Sequence, residues 1–187
     1  MALEMTQKIA REFFDYEKFS GLVTVKRRDR KWFKCDGSCA AFYSRYSGKI
    51  LKSKDKSGYL VTDVLGVRMP LHRLAWLYMT GEMPNDEIDH INGIRDDNSW
   101  ANIRSVSGKE NSKNISIRKD TPHGILGISL IKETGRWRAK IATEASRHTH
   151  LGVFSDWFEA VCCRKSAEIK YGYHKNHGKP LVKRRAV

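Results

Sequence analysis

The chain has 187 residues and 40% hydrophobic content, which allows one or two small domains with modest cores and excludes a single large one. A formal net charge of +14 at pH 7, with an isoelectric point near 9.8, points to a polyanionic partner, nucleic acid foremost, because Lys and Arg neutralising phosphate supply most non-specific nucleic-acid affinity. No apolar run approaches the ~18 residues needed to span a membrane, and the N-terminal MALEMTQKIAREFF lacks the continuous apolar stretch of a leader, so a location inside the cell is expected.

The charge is unevenly spread. Lys and Arg outnumber Asp and Glu by 14 to 8 over residues 1–65 and by 15 to 6 over 118–187, but stand at 6 against 7 over 66–117. A slightly acidic middle between basic arms suits a nucleic-acid hydrolase, since one surface cannot both hold a metal ion and maximise basic charge. Cys35, Cys39, Cys162 and Cys163 are too few for a disulfide scaffold and read as reduced thiols. No Cys-x-x-Cys pair flanks the middle, so structural zinc is not expected.

In the N-terminal arm, Ile9, Phe13, Phe14 and Tyr16 partly fit one face of an amphipathic helix within Thr6–Phe19. From Gly21 onward, alternating LVTVK and the breaks at Ser47-Gly48 and Ser57-Gly58 predict short antiparallel strands. The run Lys26–Lys34 mixes cations with Trp32 and Phe33, which suits either nucleic-acid backbone contact with some stacking or a solvated hairpin tip.

The stretch Leu71–Asn114 is the most informative. Leu71, Leu74, Ala75, Leu77 and Tyr78 recur at helical intervals and Thr80-Gly81 ends the pattern. Glu87–Ile91 reads as a short strand, Asn92-Gly93 as a turn, Asn102–Val106 as a return strand, and Ser107 as the cap of a helix carrying Glu110, Asn111 and Asn114. His72, on the packing helix, is left outside the catalytic set. The order strand, loop, strand, helix would let the Asp89 carboxylate and the Asn111 amide reach one hard cation, while His90 takes a proton from water and Asn102 holds the loop. The sequence DHINGIRDDNSWANIRSVSGKENSKN, preceded by LHRLAWLYMTGEMP, resembles the HNH endonucleases, in particular the Asp-His…Asn variant of phage-encoded and intron-associated homing enzymes. The resemblance implies a ββα-metal fold, His90 as general base, Asp89 and Asn111 as ligands of a divalent metal, Asn102 as the loop-ordering asparagine, and a 5′-phosphate product. Asn111 stands where some members have His, which favours magnesium or manganese over zinc.

After the basic linker Ser116–Gly124, strand signals over Ile125–Ile131, Arg136–Ala142 and His148–Phe154 precede a helix capped by Ser155-Asp156 that runs to about Tyr171, with Ala160, Cys163, Ala167 and Tyr171 on one face. The middle strand alternates Arg136, Arg138 and Lys140 with Trp137, Ala139 and Ile141. A basic sheet face suits the major groove. This segment resembles the AP2 DNA-binding domain of plant transcription factors, which implies DNA contacts from Arg136, Arg138 and Lys140, with Trp137 either at DNA or in the core. The tail from His174 is basic and expected to be mobile.

The sequence therefore predicts an α+β protein: a basic arm at 1–65, an HNH ββα-metal module at 66–117, an AP2-like module with a three-stranded antiparallel sheet plus helix at 118–180, and a basic tail at 181–187. The expected function is cleavage of duplex DNA with Mg2+ or Mn2+, by a monomer or homodimer, in the cytoplasm of a bacterial host if phage-encoded. The rivals are a DNA-binding protein that keeps the fold without catalysis and an RNA-directed protein.

Overall fold

The computed structural model describes residues 4–118 and 120–180; the predicted basic tail at 181–187, with Lys183, Arg184 and Arg185, lies outside them. Contacts divide the chain into two compact units, Met1–Ser107 and Gly108–Val187. Among the described residues no helix is long and apolar enough to cross a membrane.

The first unit opens with α1 (Gln7–Phe13), capped by the Thr6 hydroxyl accepting from the Ile9 amide, and passes at once into β1 (Phe14–Tyr16). The helix expected to run on towards Phe19 thus stops early. Switching to a two-residue period after Phe13 buries Phe14 and Tyr16 and exposes Asp15 between them. β1 pairs antiparallel with β2 (Val23–Val25) across a turn in which Gly21 takes a positive φ of 74°.

A second correction falls between the arm and the centre. Strands were expected around Ser47-Gly48, yet Asp36–Tyr46 forms α2, with Ser38 capping Cys35 and Gly48 (φ 76°) lying just beyond the helix end. The glycine read as a hairpin turn is a helix stop. The basic run before α2 is neither a free hairpin tip nor a uniformly exposed surface. Arg28 is sandwiched 4.0 Å from the Phe13 ring and 4.4 Å from the Phe42 ring, burial lowers its pKa, and the Trp32 indole donates to Glu12 at 2.6 Å.

The hairpin β3 (Val61–Val64) and β4 (Val67–Pro70) leads into α3 (Leu71–Thr80), which buries Leu71, Leu74, Ala75 and Leu77 and ends at Gly81 in the left-handed conformation. α3 packs on α1, where Gln7 donates to the Tyr78 carbonyl at 3.0 Å. Then β5 (Glu87–His90) and β6 (Ile103–Val106) form an antiparallel pair in which Ile88 and Ile103 join the core of Phe13, Phe14, Leu71 and Leu74.

The second unit begins with the short helix α4 (Gly108–Ser112). Asn114, expected on that helix, lies past its end in a turn, its amide donating to the Asn111 carbonyl at 2.9 Å. β7 (Ile128–Ile131), β8 (Arg136–Ile141) and β9 (Thr149–Phe154) make a three-stranded antiparallel sheet in that order, with a register shift at Ala139/Lys140. α5 (Trp157–Lys170), capped by the Asp156 carboxylate on the Glu159 amide, packs its Ala160 against Ala139 and Ile128.

α5 buries Ala160 and Ala167 of the face expected from the sequence, and with them two charged residues that were not expected inside. Arg164 and Glu168 lie inside with Ala160 and Ala167, while Cys163 and Tyr171 are only partly covered. Arg164 can be buried because Nε donates to the Leu126 carbonyl at 3.0 Å and Nη2 sits 3.5 Å from Glu168 and 3.4 Å from His177 Nε2. His177 also corrects the expectation of a mobile tail: it is 4% exposed, and Ile115 and Lys179 carbonyls accept from Gly178 and Ile117 amides.

Burial, with Arg164 and Lys165 adding to it and Glu168 opposing, pushes the His177 pKa from 6.5 down to about 4. The unfolded chain therefore binds the extra proton between these values, so stability should be complete above pH 6.5 and fall by roughly 3 kcal/mol as pH drops to 4. Urea unfolding followed through the second unit should show this slope, and His177→Gln should flatten it; an unchanged slope would remove His177 as its source.

Candidate active site

The first unit gathers its polar burial around the β5–β6 loop. Asp89 and His90 end β5 on consecutive residues, and both are buried. Asp89 faces Arg104 across the strand pair, and its Oδ2 accepts from Arg104 Nε at 3.0 Å and Nη2 at 2.8 Å. A carboxylate taken out of water needs a cation, and Arg104 supplies one from a position still partly open to solvent.

The loop after His90 is tied down by its own amide side chains. Asn102 accepts from the Asn92 amide at 3.0 Å and donates to the Asp97 carbonyl at 2.8 Å, so one side chain spans the loop. Asn92 in turn donates to Asp97 Oδ2 at 2.8 Å, and Asp97 Oδ1 accepts from the Ser99 hydroxyl at 2.9 Å.

Asn98, in the polar loop between β5 and β6, is 0% exposed, and its Oδ1 lies 3.1 Å from His90 Nε2. An amide oxygen can only accept, so Nε2 carries the ring proton and Nδ1 is the basic nitrogen. Burial holds the His90 pKa below the usual imidazole value, which keeps the ring neutral at physiological pH. Around it stand Tyr59 and His72, their ring centres 5.8 and 5.2 Å from that of His90. His72 is pushed to about 3 by burial and by His90, and its Nδ1 is buried without a hydrogen-bond partner. His72, left outside the catalytic set on the sequence, thus stands beside His90, whereas Asn98 and Tyr59 were not legible as site residues, because their places depend on contacts made only on folding.

Asn98 is itself fixed from the N-terminal arm. Its carbonyl accepts from the Tyr16 hydroxyl at 2.7 Å, and a Cβ built at Gly21 would run into the Asn98 carbonyl carbon and the Ser99 nitrogen. The remaining proposed ligand, Asn111, lies on α4 in the second unit.

On the sheet of the second unit, Ala139 packs against Ala160 of α5, Ile141 is buried, and Trp137 packs on the same core, edge-on to His123 at 4.7 Å. Arg136 is exposed and donates to the Val153 carbonyl at 3.2 Å, while Arg138 and Lys140 are half-buried.

Two outcomes follow. Asn98→Ala strands the His90 Nε2 proton, so it should cost about 1–3 kcal/mol in urea unfolding and change the imidazole tautomer balance seen by nitrogen NMR; a ring still wholly protonated on Nε2 would show that Asn98 does not set it. Gly21→Ala should destabilise by about 1 kcal/mol or more and shift the amide resonances of Asn98 and Ser99; unperturbed resonances would mean that the close approach is not tight.

The chain is 33% identical over 78 residues to protein 3.8 of Escherichia phage T7, an alignment covering 41% of this chain and 64% of that protein. No solved structure matches. Residues 70–113, which contain α3, Asp89, His90, Asn98, Asn102 and Asn111, match the family model described as HNH endonuclease.

Proposed function

We propose that the protein is a divalent-metal-dependent HNH endonuclease that hydrolyses phosphodiester bonds in duplex DNA. The observation that carries this reading is the buried, neutral His90, whose Nε2 proton is committed to Asn98, one residue from the ion-paired Asp89. In this arrangement His90 Nδ1 takes the proton of an attacking water, and Asn98 keeps the ring oriented while it does so. Asn102 holds the loop, and with it the carbonyl and amide geometry that follows His90.

Among the described residues no group of three or more His, Cys, Asp or Glu could hold a metal ion. The donors proposed for the cation, the Asp89 carboxylate and the Asn111 amide, are hard oxygens carrying little charge, which fits magnesium or manganese bound largely by water and substrate phosphate rather than by a protein cage. When bound, such an ion stabilises charge developing on the phosphate and on the leaving 3′ oxygen. Arg104 orients the Asp89 carboxylate before substrate arrives.

The three-stranded sheet and α5 support reading the second unit as an AP2-like DNA-binding module, with Arg136, Arg138 and Lys140 directed to DNA by their alternation with the packed residues Trp137, Ala139 and Ile141. Trp137 then acts through the core. The phage relative supports a phage-encoded enzyme of the homing or nicking type, and one centre per chain makes a monomer a nicking enzyme, with a homodimer needed to cut both strands.

A second reading, a DNA-binding protein that keeps the fold without catalysis, is favoured by one observation: Asp89 Oδ2 is already engaged by Arg104. Supercoiled plasmid decides between them. Wild type should give open-circle product with magnesium or manganese and none with EDTA, and His90→Ala should nick about a hundredfold more slowly or worse while still binding DNA. Metal-independent or mutant-insensitive cleavage would take His90 out of the mechanism, and tight binding with no cleavage would favour the second reading.

A further inference from the structure

The turn joining β1 to β2 presents an aromatic ring to solvent. Phe19 is 81% exposed, the most exposed large apolar side chain of the first unit among the described residues. A single exposed apolar residue ordinarily needs no explanation. This one is set apart by how firmly its backbone is held and by what it is held against.

The Glu17 carboxylate accepts from the Phe19 amide at 2.9 Å and from the Ser20 amide at 2.5 Å, while the Gly21 amide donates to the Glu17 carbonyl and the Glu17 amide to the Leu22 carbonyl, both at 2.9 Å. None of these bonds uses the Phe19 side chain, so the turn does not require an aromatic. The Lys18 ammonium lies 4.9 Å from the ring centre. The turn is seated on the active-site loop: the Lys18 carbonyl accepts from the Trp100 amide at 2.8 Å, and Gly21 is pressed against Asn98 and Ser99. Trp100 is anchored in its turn on Trp76 of α3, with ring centres 5.4 Å apart.

We propose that Phe19 is a wedge that enters duplex DNA at a base step beside the phosphate presented to His90, with Lys18 on the adjoining backbone. The inference rests on the reading of the His90 site as one that acts on DNA. An apolar side chain inserted between bases leaves water, unstacks the step and kinks the duplex. A rigid mount lowers the ordering cost of insertion, and the cation beside the ring meets the phosphate that the kink brings near. Because the mount and the His90 loop share Asn98, Ser99 and Trp100, the opened step and the site are held in fixed register.

The full chain in EDTA, where no strand is cut, is titrated with a short fluorescent duplex and with the same duplex carrying one central mismatch, which is already partly unstacked. Wild type is expected to bind the mismatched duplex on the order of tenfold more tightly. Phe19→Leu should keep that preference, and Phe19→Ala should lose it while retaining salt-dependent binding. Equal preference in wild type and Phe19→Ala, or no preference in either, overturns the wedge. Matching circular dichroism and thermal midpoints check the variants, with Phe19→Lys replacing Phe19→Ala if the latter differs. Cleavage in magnesium separates the two ideas: mismatch preference lost in Phe19→Ala, with no cleavage by wild type, keeps the wedge and removes the nuclease, whereas cleavage without Phe19-dependent preference does the reverse.

Discussion

The side chain of Asn98 is the joint on which the first unit turns. It is fully buried and its oxygen fixes which nitrogen of His90 bears the proton, while the backbone carbonyl of the same residue accepts from Tyr16, far away in the sequence. Asn98 Nδ2 is already buried without a hydrogen-bond partner, so the contacts of Oδ1 and of the backbone carbonyl matter the more, since each lost hydrogen bond leaves a donor or acceptor with no water to replace it. The β1–β2 turn, the β5–β6 loop and the packing of Trp100 on Trp76 therefore constrain one another, and the imidazole inherits its orientation from all of them.

The strong positive charge of the chain is not spent entirely on its surface. Arg28 is held between aromatic rings, Arg104 neutralises Asp89, and Arg164 joins Glu168 and His177 beneath α5. Each is used where a guanidinium can keep its charge while partly or wholly out of water, through flat stacking or forked donation. The formal charge consequently overstates the cationic surface offered to a partner. What remains exposed is concentrated in the arms, and the stretch around Asp89 stays comparatively acidic.

How much could be read beforehand depended on how local the signal was. α3, its glycine stop, the β5–β6 pair and the three strands of the second unit follow patterns that repeat within a few residues, and these were legible. α2 was not, because its sequence lacks a strong apolar face and the glycine that ends it resembles a hairpin turn. The early end of α1 depends on burying Phe14 and Tyr16 from a strand, and the burial of Arg164 and His177 depends on partners that meet only after folding. The same holds within the site. Asp89, His90 and Asn102 stand out by residue type and spacing, whereas Tyr16, Gly21 and Tyr59 acquire their roles from long-range contacts that no local pattern records.

The dependence of Asn98 on Tyr16 and Gly21 also bears on portability. Residues 70–113 carry the recognisable motif, but the donor that satisfies the Asn98 carbonyl and the aromatic floor beneath α3 come from residues 13–21. Excised at the motif's boundaries, the segment would expose Leu71, Leu74 and Leu77 and leave the amide without its brace. A graft of residues 70–113 alone would thus leave behind the segment that braces Asn98 and, through it, the ring of His90.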